Sequence, residues 1–358
     1  MIVSTPGRIC LFGEHQDYLG LPVIAAAISK RIQIRGDFRP DQEVHISLPD
    51  IKQSIQFELK FPLAYELERD YFKSVLNVMH RKGHDLTRGL EIEVRGNIPI
   101  NSGTSSSSAL NVAWATFICE MYGLSYSQKE IGELTYEAEV LEFTEPGGMM
   151  DQYSTAVGNV IYLSSVPEIA IRTYQVPLGT FVLGDSLQAK DTLGILARVK
   201  FGTLGGIKKI KASNPLFDLT KCDVEEMKQY ASLLTKDEME LICSNISDRD
   251  ILLEAKEMFE GRTKWSDDHL GKLLNDHQKN LREFKQISTE KIDRMIDASL
   301  GAGALGAKIN GSGGGGCMFA YAPNNPEQVV EAIEKEGGRA YIIKVDEGTR
   351  VEKESLFY

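Results

Sequence analysis

A run of five glycines in six positions, 311–316, restricts the fold of this chain. Its first, third and sixth positions match GxGxxG, but a dinucleotide site needs that pattern between a strand and a helix at the start of a βαβ unit. Here the β-like sequence CMFAY follows at 317–321. We therefore predict a tight turn between two strands, whose bare backbone lets a ligand or another loop approach closely. Taken alone, this run is equally compatible with a glycine turn that binds no ligand.

The order of the other elements predicts an α+β fold. Strands are predicted at 31–36, 43–48, 53–57, 90–94, 160–163, 170–175, 180–183, 307–309, 317–321 and 339–345, and helices at 105–122, 128–143 and 326–337. Residues 190–300 are mostly helical and highly charged. A chain of 358 residues exceeds the usual size of one core, so two domains are expected. The change in composition near 175–195 divides them into 1–185 and 186–358.

The charge balance argues against several classes of partner. Forty Lys and Arg against fifty-one Asp and Glu give a net charge of −11, which repels nucleic acid and anionic lipid. The longest clearly apolar stretch, LPVIAAAI, is far shorter than a membrane span of about 20 residues. The five cysteines are scattered without a CxxC pair, which favours a reducing compartment over disulfides or zinc. We therefore predict a cytoplasmic protein that binds neither nucleic acid nor membrane.

Three polar residues crowd into four positions between two apolar runs: Glu14, His15 and Asp17. Carboxylates only accept hydrogen bonds, whereas histidine donates or accepts, so this trio suits a ligand with several hydroxyl groups. A polar turn between two strands, without any ligand, explains the same residues equally well.

A second polar segment, NSGTSSSSALN, leads into the helix predicted at 105–122. The first four N–H groups of a helix lack partners within it, and the helix dipole favours anions there, so this end is suited to phosphate. Four serines exceed what capping alone requires. The alternative is a serine-rich loop that only caps the helix.

The helix predicted at 128–143 places two glutamates and a threonine toward the interior. At about 100° per residue, Thr135, Glu139 and Glu142 fall in a narrow arc between two apolar flanks, one of which includes Leu141. A buried carboxylate is costly unless a cation or a ligand lies nearby. Asp151 follows, after Pro-Gly-Gly and two methionines. Asp151 is therefore a second candidate for a functional carboxylate. The alternative is that it only forms an N-cap for the residues after it.

Taken together, these segments resemble the three motifs of the GHMP kinase family (galactokinases, homoserine, mevalonate and phosphomevalonate kinases), in the right order and across nearly the whole chain. PGRICLFGEHQDYLG resembles the galactokinase signature GRxNxIGEHxDYxGG, and Arg8 favours that branch over mevalonate kinases, which usually have lysine there. The resemblance implies a two-domain α+β fold. Its N-terminal α/β domain would resemble domain 2 of ribosomal protein S5, its C-terminal domain would be ferredoxin-like, and the active site would lie in the cleft between them.

The resemblance also implies roles for single residues. MMDQ resembles the galactokinase element that carries the proposed catalytic base, which is Asp151 here, with Arg8 keeping it ionised or stabilising the transferred charge. The acceptor-binding residues would be Glu14, His15, Asp17 and Tyr18. Magnesium would bind Glu139, twelve residues before Asp151, together with Ser107, or with Ser108 because the fourth serine blurs the alignment. The ATP-binding residues would be Asn101, Ser102, Gly103, Thr104, Ser105, Ser106, Ser107, Ser108, Gly313 and Gly314.

The implied activity is ATP- and Mg²⁺-dependent phosphorylation of a sugar hydroxyl, most simply the anomeric one, by a monomer or homodimer. Departures from the galactokinase pattern at Gln16, Leu21 and Asn101 leave the sugar open. GDSLQAKDTLGILARVK is more similar to the mevalonate and heptose-phosphate kinase branches, which form one alternative. A sugar and ATP sensor without catalysis is another, although an intact Arg8, Glu139 and Asp151 argue against it.

Overall fold

The computed structural model describes residues 1–100, 103–189 and 192–353. The strands are β1 (Ile2–Phe12), β2 (Val23–Phe38), β3 (Glu43–Leu48), β4 (Gln53–Glu58), β5 (Leu90–Gly96), β6 (Val160–Ser164), β7 (Ala170–Tyr174), β8 (Phe181–Asp185), β9 (Gly306–Ile309), β10 (Cys317–Tyr321), β11 (Arg339–Ile343) and β12 (Arg350–Val351). The helices are α1 (Tyr71–Arg81), α2 (Ser106–Tyr122), α3 (Gln128–Tyr136), α4 (Met150–Val157), α5 (Thr192–Ser213), α6 (Lys236–Phe259), α7 (Asp267–Lys279), α8 (Glu290–Gly301) and α9 (Pro326–Lys335). Each strand and helix predicted above is found, so the α+β class is confirmed.

The larger sheet is built around the long strand β2. The whole of β1 pairs with one edge of β2. On the other edge of β2, β6 pairs with residues 23–26 and β5 pairs with residues 32–38. Its full order is β12-β1-β2-β5-β3-β4, with β7 added beyond β6. Residues 23–28, VIAAAI, are buried on both faces, which explains why they are apolar without alternation. The polar residues 13–22 therefore form the turn between two central strands.

Helix α2 is the central helix of the first half. Ala113, Trp114 and Phe117 are buried on different sides of it, and it packs between the sheet and the helices α1, α3 and α4. Helix α1 was not among the predicted elements, although its buried residues Phe72, Val75, Leu76 and Met79 follow helical spacing. The α2 N-terminus is thereby fixed beside strand β1, where the cleft described below opens.

A π-helical turn at Glu137–Leu141 follows α3 directly. The extra residue in such a turn shifts the rotation of everything after it, so a wheel drawn at 100° per residue loses its phase here. Glu139 is buried as predicted, but Leu141 is 56% exposed, and Glu142 is partly exposed and bound to Arg81. The inward orientation predicted for Glu142 and the buried flank predicted for Leu141 are therefore wrong.

The smaller sheet has the order β11-β8-β10-β9. The glycine turn (310–316) joins β9 to the antiparallel β10, so the strand–turn–strand prediction is confirmed. Helices α8 and α9 cover one face of this sheet, and α6 and α7 lie between its other face and β1. β8 lies in the smaller sheet and β12 in the larger, so the chain passes between the two sheets more than once. The division into 1–185 and 186–358 stays a prediction. None of the helices within the described ranges is long and apolar enough to cross a bilayer.

Arg31 fastens the C-terminal segment to the larger sheet. Its buried guanidinium forms an ion pair with Asp346 at 2.9 Å and also donates to Ser4 and to the carbonyl oxygens of Glu347 and Gly348. We expect Arg31→Met to lower the free energy of unfolding by about 3–5 kcal/mol, because it leaves a carboxylate and carbonyl groups without their cation. Urea denaturation measures this change.

Arg35→Met is the matched control for Arg31→Met. Arg35 lies on the same strand and pairs with Glu93, but its side chain is 53% exposed, so its loss should cost less than about 1 kcal/mol. Equal effects of the two substitutions would show that the buried contacts of Arg31 do not hold the C-terminal segment.

Candidate active site

A cleft of about 920 Å³ opens where the β1–β2 loop (13–22), the serine loop (103–108), the α3–α4 junction and the glycine turn meet. Most of the predicted site residues line it: Arg8, Glu14, His15, Asp17, Tyr18, Gly103, Ser105, Ser106, Ser107, Ser108, Glu139 and Asp151. The structure thus gathers residues that are up to about 300 positions apart, from Arg8 to Ser312, in one cavity.

Arg8 and Asp151 form an ion pair in this cleft. Arg8 lies on β1, and its Nε and Nη2 atoms contact Oδ1 of Asp151 at 2.8 and 2.7 Å. Burial alone would lower the pKa of Arg8, but the Asp151 carboxylate, with smaller contributions from Cys10 and Glu14, raises that pKa. Asp151 keeps 31% of its side chain exposed, and no hydrogen bond among the described residues uses its Oδ2. That oxygen is therefore free to accept a proton from a ligand.

His15 and Tyr18 are linked within the β1–β2 loop. The His15 backbone is left-handed, with φ of 63°, and its Nε2 lies 3.1 Å from the carbonyl oxygen of Ser312. Because a carbonyl only accepts, a neutral His15 donates from Nε2 and accepts the Tyr18 hydroxyl at Nδ1, 3.0 Å away. Burial raises the pKa of Tyr18 well above its usual value, so its hydroxyl stays protonated.

Asp17 connects the same loop to the start of α4. Its Oδ1 accepts the Tyr18 N–H, and its Oδ2 accepts the Met150 N–H at 3.2 Å. A Cβ at Gly148 would lie 1.7 Å from Oδ2, so only glycine fits there. Burial raises the pKa of Asp17, with a further contribution from the nearby Asp151 carboxylate, while the Met150 N–H opposes the rise. Two carboxylates, Asp17 and Asp151, therefore share this end of the cleft.

The serine loop brings the N-terminus of α2 next to the Arg8–Asp151 ion pair. Gly103 and Ser105 have left-handed backbones, with φ of 88° and 59°, and Ser105 makes no side-chain capping bond to the helix. Thr104 is fully buried, and its carbonyl accepts the Arg8 N–H. The helix N–H groups and the serine hydroxyls are thus presented together, as an anion site requires. Asn101 and Ser102 lie outside the described residues.

The glycine turn contributes to the cleft through its first residues. Gly311 and Ser312 line the cavity, and a Cβ at Gly311 would come within 3.0 Å of the Gly103 carbonyl. Gly313 and Gly314 do not line it. They lie against Ile287, whose carbonyl accepts the Gly314 N–H. Gly313 and Gly314, which were predicted to contact the nucleotide, are therefore not brought together with the serine loop.

Glu139 is 7% exposed, and its surroundings consist of neutral donors. Gln152 donates to its Oε2 at 2.7 Å, and the hydroxyl groups of Ser107 and Ser108 are near enough to oppose the rise of its pKa. Burial raises its pKa, and the nearby Asp151 adds to the rise. No ion pair of Glu139 occurs among the described residues, nor do these contain a cluster of three His, Cys, Asp or Glu side chains able to hold a metal. A buried carboxylate beside hydroxyl groups, without a cation, fits Mg²⁺, which usually takes one or two protein ligands besides phosphates.

Glu14 differs from its neighbours in the loop, because it is 1% exposed and bound to Lys308 of β9. Burial alone would raise the pKa of Glu14, but Lys308, His277 and the hydrogen bonds to the carboxylate together lower it. Its predicted contact with the acceptor stays a prediction.

Several polar residues at the site were not among the predicted ones. Asn310 donates to the Gly103 and Arg8 carbonyls and accepts the Cys10 N–H, so it ties β1 to the serine loop. Gln152 holds Glu139. Asn310 and Gln152 each lie next to residues of the recognised motifs. This proximity was the only signal in the local sequence that could have identified them. The buried residues around Glu14 carry no such signal, because they are brought together only by the fold: Lys308, His277, Asp248 and Lys285.

Three family models match the chain. GHMP kinases N terminal domain matches residues 70–159, GHMP kinases C terminal matches 267–339, and the galactokinase galactose-binding signature matches 1–35. The three models together match more than half of the 358 residues.

Similar proteins belong to more than one branch of the family. A mevalonate kinase of Thermococcus gammatolerans is 29% identical over 99% of this chain and 98% of its own length. A galactokinase of Thermococcus kodakarensis is 28% identical over 89% of each chain. The crystal structure of Lactococcus lactis galactokinase complexed with galactose has the same fold, with a TM-score of 0.85 and 21% identity over 98% of this chain and 94% of that one. From the matched models and relatives, this chain belongs to the GHMP kinase family and is a two-domain kinase that transfers a phosphoryl group from ATP to a hydroxyl group of a small molecule.

Proposed function

We propose that this kinase phosphorylates a sugar hydroxyl, most simply the anomeric one, to give a sugar 1-phosphate. The observation that carries the proposal is the Arg8–Asp151 pair, whose free Oδ2 lies in a cleft between the serine loop and the β1–β2 loop. The match of residues 1–35 to the galactokinase galactose-binding signature supports a sugar as the acceptor.

The chain's residues would act mainly by positioning the reactants and balancing charge, because phosphoryl transfer passes through a loose transition state. The serine loop and the N-terminus of α2 would hold the phosphates. Asp151 would take the proton of the acceptor hydroxyl at Oδ2, while Arg8 would stabilise the carboxylate and the transferred charge. Glu139 and Ser107, with Ser108 as the alternative, would hold Mg²⁺, which neutralises charge on the phosphates.

His15, Asp17 and Tyr18 would bind the acceptor. A hydroxyl-rich ligand needs both donors and acceptors, and this loop end presents the Asp17 carboxylate next to the linked imidazole and phenol groups. The carboxylate geometry is fixed by two backbone N–H groups, so it is ready to accept from hydroxyls without rearrangement.

A mevalonate-type acceptor is the second candidate. The relative with 29% identity over nearly the whole chain is a mevalonate kinase, and a heptose-phosphate kinase would use the same chemistry. ADP release should be measured with galactose, arabinose, fucose, uronic acids, heptose phosphates and mevalonate, with and without Mg²⁺. Turnover with a free sugar supports the proposal, and turnover confined to mevalonate or to a heptose phosphate overturns it. Tight sugar binding without turnover on any acceptor would favour a sensor.

Asp17→Asn tests the acceptor end of the cleft. A hydrogen bond to a charged group contributes about 1.5–3 kcal/mol, so we expect the acceptor KM to rise by about tenfold to hundredfold while the KM for ATP stays unchanged. Steady-state kinetics with each substrate varied in turn measures both constants.

Asp276→Asn provides the control for Asp17→Asn, because Asp276 is a surface residue paired only with Lys272 among the described residues. An unchanged acceptor KM in Asp17→Asn, or a rise in the KM for ATP alone, would remove Asp17 from the acceptor site.

The cytoplasmic compartment and the monomeric or homodimeric state stay predictions.

A further inference from the structure

Five ionisable side chains meet beneath the β1–β2 loop and are almost completely buried. They come from five different parts of the chain: Glu14 in the loop, Asp248 on α6, His277 on α7, Lys285 after a second π-helical turn (Asn280–Phe284) that extends α7, and Lys308 on β9. Each is at most 1% exposed. Burying so many charged groups is costly unless they form ion pairs and hydrogen bonds with one another.

The Glu14 carboxylate is directed into this cluster. Lys308 forms an ion pair with Oε1 and also donates to the carbonyl oxygens of Cys10 and Ile309 at 3.0 Å. The other oxygen, Oε2, lies 3.7 Å from Nε2 of His277 and makes no hydrogen bond within the described part of the chain. One oxygen is therefore occupied by an ammonium group, and the other is buried next to an imidazole.

The backbone of the same loop is held by the same helices. Lys285 donates to the Glu14 carbonyl at 3.1 Å and to Asp248 at 2.7 Å. Gln16, two residues further on, donates to the carbonyl of Asn245 on α6 at 2.9 Å. His15 lies between these two anchored residues in a left-handed conformation. The position of the residues proposed to bind the acceptor thus depends on groups that lie behind the loop.

We infer that Glu14 is a positioning residue, which sets the β1–β2 loop through Lys308 and does not itself bind the acceptor. The inference rests on the proposed function in one respect, namely that the acceptor binds against this loop. The helical layer α6–α7 would then influence acceptor recognition without contacting the acceptor, because its buried charges fix where His15, Asp17 and Tyr18 stand. Glu14 borders the cleft, but its charge is balanced from the opposite side.

A double-mutant cycle separates positioning from direct binding. Lys308→Met leaves the Glu14 carboxylate buried without its cation, so we expect the acceptor KM to rise about tenfold or more, with the KM for ATP unchanged. Adding Glu14→Gln removes that unbalanced charge, and the double variant should return to within about threefold of the wild type. If Glu14 binds the acceptor directly, Glu14→Gln alone raises the acceptor KM and the double variant stays impaired, which would overturn the inference.

Hydrogen exchange of the β1–β2 loop in the protein without ligands gives a second, activity-independent readout. Lys308→Met should accelerate exchange across 13–20, the double variant should restore it, and Lys335→Met, at an exposed lysine, should leave it unchanged. Unchanged exchange in Lys308→Met would overturn the inference. A wild-type enzyme that phosphorylates no acceptor would contradict the proposed function alone, since this measurement needs no turnover.

Asp248→Asn supplies an independent variant in case Lys308→Met does not fold. It keeps the shape of the side chain but removes the charge that holds Lys285 against the Glu14 carbonyl. Faster exchange of residues 13–20 and a raised acceptor KM are expected. Wild-type values for both would contradict the role of the cluster.

Discussion

Asp151→Asn should lower turnover by about 10²–10⁴-fold while leaving ATP binding intact, because it removes the proposed proton acceptor and keeps the shape of the side chain. The prediction follows from the two oxygens of Asp151. Oδ1 is used by Arg8, which fixes the carboxylate, and Oδ2 remains available in the cleft. An amide in the same place could still accept from Arg8, but it could not take a proton from the acceptor hydroxyl.

The measurement combines kcat from coupled ADP release with ATP affinity from calorimetry. Asp297→Asn serves as the control, since Asp297 is an exposed aspartate paired with Arg282 on the surface. Near wild-type turnover in Asp151→Asn would remove Asp151 from the role of base. A parallel loss of ATP affinity would instead assign it to nucleotide binding.

The fold was largely predictable because its signals are local. Strand β3 matches its predicted bounds, and the glycine turn was recognised from the β-like sequence that follows it. Helix α1 was missed although its signals are present, since its apolar residues repeat at helical spacing and Asp70, a residue type typical of N-caps, precedes its first turn. Short, strong patterns were thus sufficient for most elements.

The candidate site was predictable only as far as single segments allow. The wheel placed Glu139 inside, yet the π-helical turn changed the phase two residues later and exposed Leu141. A π-helical turn is stabilised by its tertiary surroundings, so the local sequence does not reveal it. The charge cluster around Glu14 is the extreme case. Its partners lie more than 230 positions away, and no spacing rule connects them.

Glu139→Gln should have opposite effects on activity and stability. The proposed loss of a Mg²⁺ ligand should lower turnover by about 10²–10³-fold, the range observed when one preorganised electrostatic partner is removed. At pH 7 without metal, however, the variant should be more stable than the wild type by about 0.5–2 kcal/mol. The reason is that the wild type keeps a buried carboxylate among neutral donors, whereas glutamine has no charge to desolvate.

The pH dependence of this stability difference follows from the direction of the pKa shift. Burial raises the pKa of Glu139, so the folded protein holds this proton more tightly than the unfolded chain does. Its contribution is therefore most favourable below the ordinary pKa of glutamate, about 4.3, and is lost as the pH rises through the folded value. The advantage of Glu139→Gln should shrink as the pH falls from 7 toward this range, and urea denaturation at several pH values measures it.

Mg²⁺ titration completes the test of Glu139. Thermal unfolding of the wild type with ATP should shift upward on adding Mg²⁺, because a ligand that binds only the folded state stabilises it, and Glu139→Gln should lose most of that shift. Glu133→Gln, an exposed glutamate of the preceding helix, should behave as the wild type does in every measurement. If Mg²⁺ stabilises Glu139→Gln as strongly as the wild type, the buried carboxylate does not bind the metal, and its raised pKa reflects burial alone.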